Sequence, residues 1–155
     1  LADPICGATA DVLFDAAEKA GATVHKGGTY ICIEGPQFST RAESLVYRQW
    51  GVDVIGMTNV TEAKLAREAG LCYSTLALVT DFDCWHVEEE AVTLEAVLKI
   101  MHQNVEKAQQ VINELVPLLE KVGSCCCADA AKQAVVTDPK KIPEKLKNDL
   151  SILFG

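Results

Sequence analysis

From Leu71 to Trp85 the chain reads LCYSTLALVTDFDCW, a nearly unbroken apolar run that ends on Asp81 and Asp83 flanking Phe82. An apolar run of this length suits a strand covered on both faces of a parallel sheet. In open α/β sheets ligands bind just beyond the carboxyl ends of such strands, so the run sets two carboxylates and an aromatic ring where a ligand is met. Two acids around an aromatic can hydrogen-bond a planar heterocycle that carries N–H groups. One of them, held protonated, can give a proton to a ring nitrogen. The pattern points to nitrogen-heterocycle chemistry. The plainer reading is that Asp81 or Asp83 caps a turn or a following helix.

The rest of the chain supplies the context that such a strand needs. Val12, Leu13, Ala16, Ala17 and Ala20, closed by Gly21, predict an amphipathic helix over about residues 8–20. Thr23 to His25 and Thr29 to Ile33 read as a strand pair or one bent strand, ended by Glu34-Gly35-Pro36. Thr40 with Glu43 three residues on predicts a capped helix through Trp50, closed by Gly51. Val52 to Met57 reads as a strand, Thr58-Asn59 as a loop, and Thr61 to Ala69 as a helix stopped by Gly70. Thr93 to Lys121 has helical spacing throughout, with Pro117 a point of bending, and a last amphipathic helix ends near Phe154. Alternating strands and helices predict an α/β fold. Three strand ends then carry polar groups to one edge: residues 34–39, 57–59 and 80–83.

With 155 residues, 49% hydrophobic and 23% charged, the chain is globular and of ordinary domain length. A net charge of −8 disfavours nucleic acid and anionic membranes as partners. No apolar run reaches a membrane span and no signal peptide is legible, so a cytoplasmic location is expected. The seven cysteines do not form a secreted disulfide scaffold. Cys125-Cys126-Cys127 follows Gly123-Ser124 at a helix end, where exposure is expected. Zinc is poorly supported by spacing, since no second Cys or His pair stands at ligand distance in sequence, and no metal site is assigned; a local or long-range disulfide stays open. The chain opens at Leu1 straight into a helical pattern, and the expectation is a portion of a longer protein.

Three ordered segments, IEGPQFSTRAES at 33–44, WGVDVIGMTNVTEAKLAREAGL at 50–71 and VTDFDCWHVEEEAV at 79–92, resemble the purine nucleoside phosphorylase superfamily. In detail they are similar to its methylthioadenosine phosphorylase branch. The likeness covers nearly the whole chain but corresponds to the C-terminal half of a family member. It implies a phosphorylase/hydrolase-like mixed sheet flanked by helices, a three-layer α/β/α arrangement, with residues 1–155 forming part of one domain. The family's phosphate loop, its Arg-His pair and a further Thr belong to the other half. Gly27-Gly28 has neither the context nor the position to stand in for that loop.

The branch is marked by the residues that face the base. Phosphorylases of inosine and guanosine characteristically carry a Glu after the Phe of the GPxF motif, and an Asn-Lys pair where this chain has Asp81-Phe82. A 6-oxo group is an acceptor that an ionised Asp repels, whereas a 6-amino group is a donor that wants a carboxylate. By resemblance, Asp81 protonates or hydrogen-bonds N7 and Asp83 accepts from the 6-amino group. Burial and the neighbouring carboxylate are expected to hold Asp81 protonated near neutral pH. Phe38 stacks near the base, Ser39 lines its pocket, Met57 lies under the ribose, Thr58 holds phosphate, and Leu94 tunes the 5′ pocket.

The activity implied is phosphorolysis of methylthioadenosine to adenine and methylthioribose-1-phosphate, as in methionine and purine salvage. Inorganic phosphate is the co-substrate, no other cofactor is needed, and a homo-oligomer, a trimer, is expected. The rivals are a purine nucleoside or methylthioinosine phosphorylase and a non-catalytic purine-binding or assembly segment. Arg41 and Glu43 are expected to form a structural or intersubunit ion pair rather than to contact substrate, and Trp85 to pack. His86 is expected at the surface, and Glu88 to Glu90 as a solvated run ahead of the long helix. In thermophilic relatives a late C-x-C disulfide occurs, and Cys125 with Cys127 has that spacing, the extra Cys126 leaving the pairing open.

Overall fold

The computed structural model describes residues 1–86, 94–120, 122–123 and 125–154, with the side chains of Leu94, Ala96 and Phe154 outside that description. Its elements in chain order are α1 (Gly7–Lys19), β1 (Tyr30–Cys32), α2 (Arg41–Gln49), β2 (Val54–Gly56), α3 (Asn59–Glu68), α4 (Leu94–Leu119), α5 (Ala130–Ala134), α6 (Glu144–Asp149) and α7 (Ser151–Phe154). Short 3-10 turns cover Cys126–Asp129 and Pro139–Lys141. The chain is α/β, as the alternation predicts.

β1 and β2 are parallel, pairing Tyr30 with Val54, Ile31 with Ile55 and Cys32 with Gly56. Parallel neighbours need a crossover, and α2 provides it. At Gly56 a β-carbon would overlap the Tyr30 hydroxyl, so a side chain there would force the Tyr30 ring to move. At the end of β1, Gly35 has φ +73°, and a β-carbon on it would stand 2.8 Å from Met57 Sδ. Glycine thus lets the loop after β1 close onto the loop after β2.

α2 begins on a complete capping box. Thr40 Oγ1 accepts from the Glu43 backbone N–H, while the Glu43 carboxylate accepts from the Thr40 backbone N–H at 2.7 Å. These bonds, the backbone one first, hold the Glu43 carboxyl below its usual range. Glu43 is therefore engaged in the cap, and Arg41 and Glu43 form no ion pair with each other within the described chain. Arg41 Nε instead donates to the Cys84 carbonyl at 3.0 Å, tying α2 to the segment after Asp83.

The core lies where α1 packs on α4. Ala16, Ala17 and Val111 are buried, and Leu13, Leu76, Leu115 and Leu118 pack around them. Small alanines on α1 allow the close approach, and Lys107 of α4 donates to the Ala20 carbonyl at 2.8 Å, satisfying an orphan acceptor at the α1 terminus. α4 continues through Pro117 and stops two residues later. Among the described residues no helix is long and apolar enough to cross a membrane.

Several expectations are corrected here. Residues 71–80 are not in a ladder, and 23–25 form no strand; the described sheet is β1 and β2 alone. A strand exists only through a partner, and within the described residues nothing pairs along 71–80, whose anchors are instead Tyr73 O accepting from Cys6 N at 2.8 Å and Asn104 donating to Val79 O at 2.9 Å. Leu71, Leu78 and Val79 are accordingly exposed. The last helix is broken at Leu150 into α6 and α7. Cys127, expected at the surface, is buried, with Cys125 half-buried and Cys126 exposed. The run Glu88 to Glu90 lies outside the described residues.

Candidate functional site

The loops that follow β1 and β2 meet residues 73–85 around a cleft of about 850 Å³. It runs along β2, lined from Val52 through Gly56, and reaches the loops beyond the carboxyl ends of the strands, where α/β sheets present ligand-binding groups. Phe38, Ser39, Met57, Thr58, Asp81 and Asp83 all line it, with Tyr30, Tyr73 and Trp85 among its other walls. A smaller recess of about 260 Å³ adjoins it at Glu34, Gly35 and Gln37, and Ile33, Phe38, Ser39 and Tyr47 border both. The sequence-predicted site residues whose side chains are described are thus brought together. The side chain of Leu94 lies outside that description.

Asp81 and Asp83 stand at different depths. The Asp81 carboxylate accepts from the Thr80 hydroxyl at 2.7 Å and from the Asp83 backbone N–H at 2.8 Å. Asp81 is exposed, so the burial expected to hold it protonated is absent in this chain. Asp83 is half-buried and adopts φ +61°, a left-handed conformation that Asp tolerates better than most residues. Its carboxylate accepts from the Ser44 hydroxyl at 2.5 Å and from the Cys84 backbone N–H at 2.7 Å. Each carboxylate oxygen keeps a second acceptor direction, so Asp83 is oriented without being used up.

Ser44 is the site residue that sequence reasoning missed. It lies on the inner face of α2, 2% exposed, and its hydroxyl crosses 39 positions of sequence to reach Asp83. A small polar residue in mid-helix, one turn before Tyr47 on the same face, was the available signal. Around it, Arg48 lies over the Trp85 ring at 3.6 Å from the centroid, and Phe82 stacks on His86 at 5.2 Å. His86 is half-buried rather than on the surface, and its Nδ1 is buried without a partner among the described residues. Trp85 packs, as expected.

Phe38 presents an open ring, 86% exposed, beside Ser39, whose Oγ is buried and has no partner among the described residues. A buried hydroxyl without a partner, next to an open aromatic face, is a place that gains from a polar planar ligand. Thr58 occupies the N-cap of α3, yet its side chain makes no capping bond. Thr58 and Asn59 place the start of α3 on the cleft wall, and a helix N-terminus with unpaired N–H groups suits an anion. Asn59 is committed elsewhere, its Oδ1 accepting from Tyr73 at 2.9 Å and Thr75 at 2.8 Å. Burial, then the acidic neighbour Glu62, holds the Tyr73 phenol above its usual range; burial, then the charges of Cys32 and Glu62, does the same for Tyr30. Both phenols remain neutral donors on the cleft wall at neutral pH.

Fold and site together define an α/β chain with a cleft, running along β2 to the loops at its carboxyl end, that pairs an open aromatic face with two carboxylates and a helix N-terminus. The sequence profile of the Phosphorylase superfamily matches residues 2–117. The chain belongs to that superfamily. It is 51% identical over 154 residues to the S-methyl-5'-thioadenosine phosphorylase of Geobacter sulfurreducens, covering 99% of this chain and 54% of that protein. It is 49% identical to the protein of the same name from Koribacter versatilis, covering 99% and 52%. Among solved structures, a methylthioadenosine phosphorylase sourced from an antarctic soil metagenomic library superposes with a TM-score of 0.90 at 46% identity, covering 99% of this chain and 55% of the other. The methylthioadenosine phosphorylase of Schistosoma mansoni in complex with adenine gives 0.74 at 33% identity, covering 86% and 54%. The chain spans about half the length of the curated relatives it matches.

Proposed function

We propose that the chain forms the base- and ribose-facing part of an active site for phosphorolysis of S-methyl-5'-thioadenosine, giving adenine and 5-methylthioribose-1-phosphate. The observation that carries the reading is the Asp83 carboxylate fixed by Ser44 at 2.5 Å on the same cleft as Phe38 and Ser39, an acceptor oriented for a 6-amino group. Phe38 stacks on the purine, Ser39 donates to its edge, and Met57 lies under the ribose. Thr58 and the start of α3 hold inorganic phosphate, and Leu94 borders the 5′ substituent. A phosphate oxygen bonds to C1′ as the C1′–N9 bond breaks, the bonding pair passes into the purine, and N7 takes a proton from Asp81.

That step needs Asp81 protonated, and its exposure here calls for a covering segment to desolvate it. The open apolar side chains Phe38, Leu71, Val79 and Phe82 are where such cover would seat. A homo-oligomer, a trimer, with or without further chain, supplies it. No metal takes part in the bond cleavage, phosphate is the co-substrate, and the working place is the cytoplasm, in methionine and purine salvage. The test is adenine release from methylthioadenosine and phosphate, with inosine in parallel. Asp81→Asn should lower turnover on both substrates by at least about a hundredfold, as loss of a general acid does. Asp83→Asn should depress the methylthioadenosine rate more than the inosine rate. Equal losses in Asp83→Asn would refute the specificity argument.

A further inference from the structure

We propose that Cys6, Cys72, Cys125 and Cys127 bind one Zn²⁺ as a closed, structural tetrathiolate site. Their spacing in sequence hides the set, but the fold gathers all four sulfurs within 4.8 Å of one another. Four sulfurs on a tetrahedral zinc, each at about 2.3 Å, stand about 3.8 Å apart, so the cluster needs only small side-chain adjustments to close on the ion. Cys72 and Cys125 have their sulfurs at 3.1 Å, and all four cysteines are free thiols. Cys126, between two ligands, is exposed and stands outside the set.

The frame around the sulfurs is fixed independently of any ion. Cys6 is the N-cap residue of α1; its backbone N–H donates to Tyr73 O at 2.8 Å and its carbonyl accepts from the Ser74 hydroxyl at 3.0 Å, which locks the first two ligand segments together. The third segment sits against the end of α3, where a β-carbon on Gly70 would come 3.1 Å from the Ala128 carbonyl. Two sulfurs also have outer partners. Arg67 Nη1 donates to Cys127 Sγ at 3.3 Å while its Nη2 donates to Asp3 O at 2.6 Å, and the Thr9 hydroxyl donates to Cys6 Sγ at 3.4 Å. Donors aimed at sulfur orient and stabilise thiolate ligands, and the Arg67 charge offsets part of the net negative charge of a zinc tetrathiolate. Thiolate sulfurs select soft, tetrahedral ions, which favours Zn²⁺ over oxygen-loving cations.

None of the four cysteines lines the cleft, and four protein ligands leave no open position, so the site holds structure rather than performing chemistry. It would clasp the start of α1, the exit of α3 and the segment entering α5. The exposed Cys72 gives the ion its way in. Binding displaces the thiol protons to solvent and needs no oxidant.

The test is elemental analysis of the protein purified under reducing, chelator-free conditions, together with Co²⁺ titration of the metal-stripped protein. One zinc per chain is expected, kept in Cys126→Ser and lost in Cys127→Ser and Cys72→Ser. Co²⁺ should give intense sulfur-to-metal charge-transfer bands and tetrahedral visible bands that Zn²⁺ abolishes. Wild-type protein that carries no zinc and gives no such cobalt spectrum would overturn the proposal even if the serine variants fail to fold. So would two disulfides by intact mass in a chain whose reduced form takes up no metal, or full zinc retention in Cys127→Ser.

Discussion

Ser44→Ala tests whether the Ser44–Asp83 bond does the orienting assigned to it. The hydroxyl is buried at the α2 face and meets the carboxylate at 2.5 Å. A hydrogen bond to a charged group is worth about 1.5–3 kcal/mol, and the half-exposure of Asp83 lets water replace part of it, which places the loss near the lower bound, about 1.5 kcal/mol. With a urea m-value of roughly 1.5–2 kcal/mol/M for a chain of this size, the unfolding midpoint should fall by roughly 0.8–1 M. Trp85 follows Asp83 by two positions and Trp50 ends α2, so tryptophan fluorescence reports on both sides of the bond. Asp83→Asn and the double variant complete a cycle, and the coupling between the two sites should exceed about 0.5 kcal/mol. A midpoint unchanged in Ser44→Ala, or costs that add without coupling, would show that the two groups do not act as a unit.

Other consequences are equally direct. Gly56→Ala should cost about 2 kcal/mol in urea unfolding, because the new methyl meets Tyr30, and Tyr30→Phe should recover part of that loss. The Glu43 carboxyl is held below its unfolded value by the Thr40 backbone N–H and then the Thr40 side chain. Its contribution is therefore complete above the unfolded glutamate pKa, 4.5, and disappears as pH falls through the lower folded value. Thermal melts of Glu43→Gln should accordingly diverge from wild type above that window and converge with it in acid. Parallel pH profiles throughout would contradict the capping assignment.

What sequence could and could not disclose follows from the range of each interaction. The helices rest on local periodicity and local stops, so α1, α2 and α4 are legible within a residue or two, and the Thr40–Glu43 box is readable because both partners lie within one turn. The apolar run at 71–80 reads as a strand, but a strand is a relation between segments, and among the described residues no partner completes it. The cleft residues were legible as a family pattern ending three segments. The buried support beneath them was not, since Ser44 and Asp83 are 39 positions apart. The thiol cluster is the extreme case, uniting residues 6, 72, 125 and 127 that no spacing rule connects.

The central claim is that this cleft prefers a 6-amino over a 6-oxo purine through Asp83. Calorimetric titration of the chain with adenine and with hypoxanthine, repeated on Asp83→Asn, tests it without requiring turnover. Adenine should bind at least about tenfold more tightly than hypoxanthine, and Asp83→Asn should erase most of the difference, since a lost charged acceptor is worth at least about 1.4 kcal/mol. Hypoxanthine binding as tightly as adenine, or a preference unchanged in Asp83→Asn, would contradict the account.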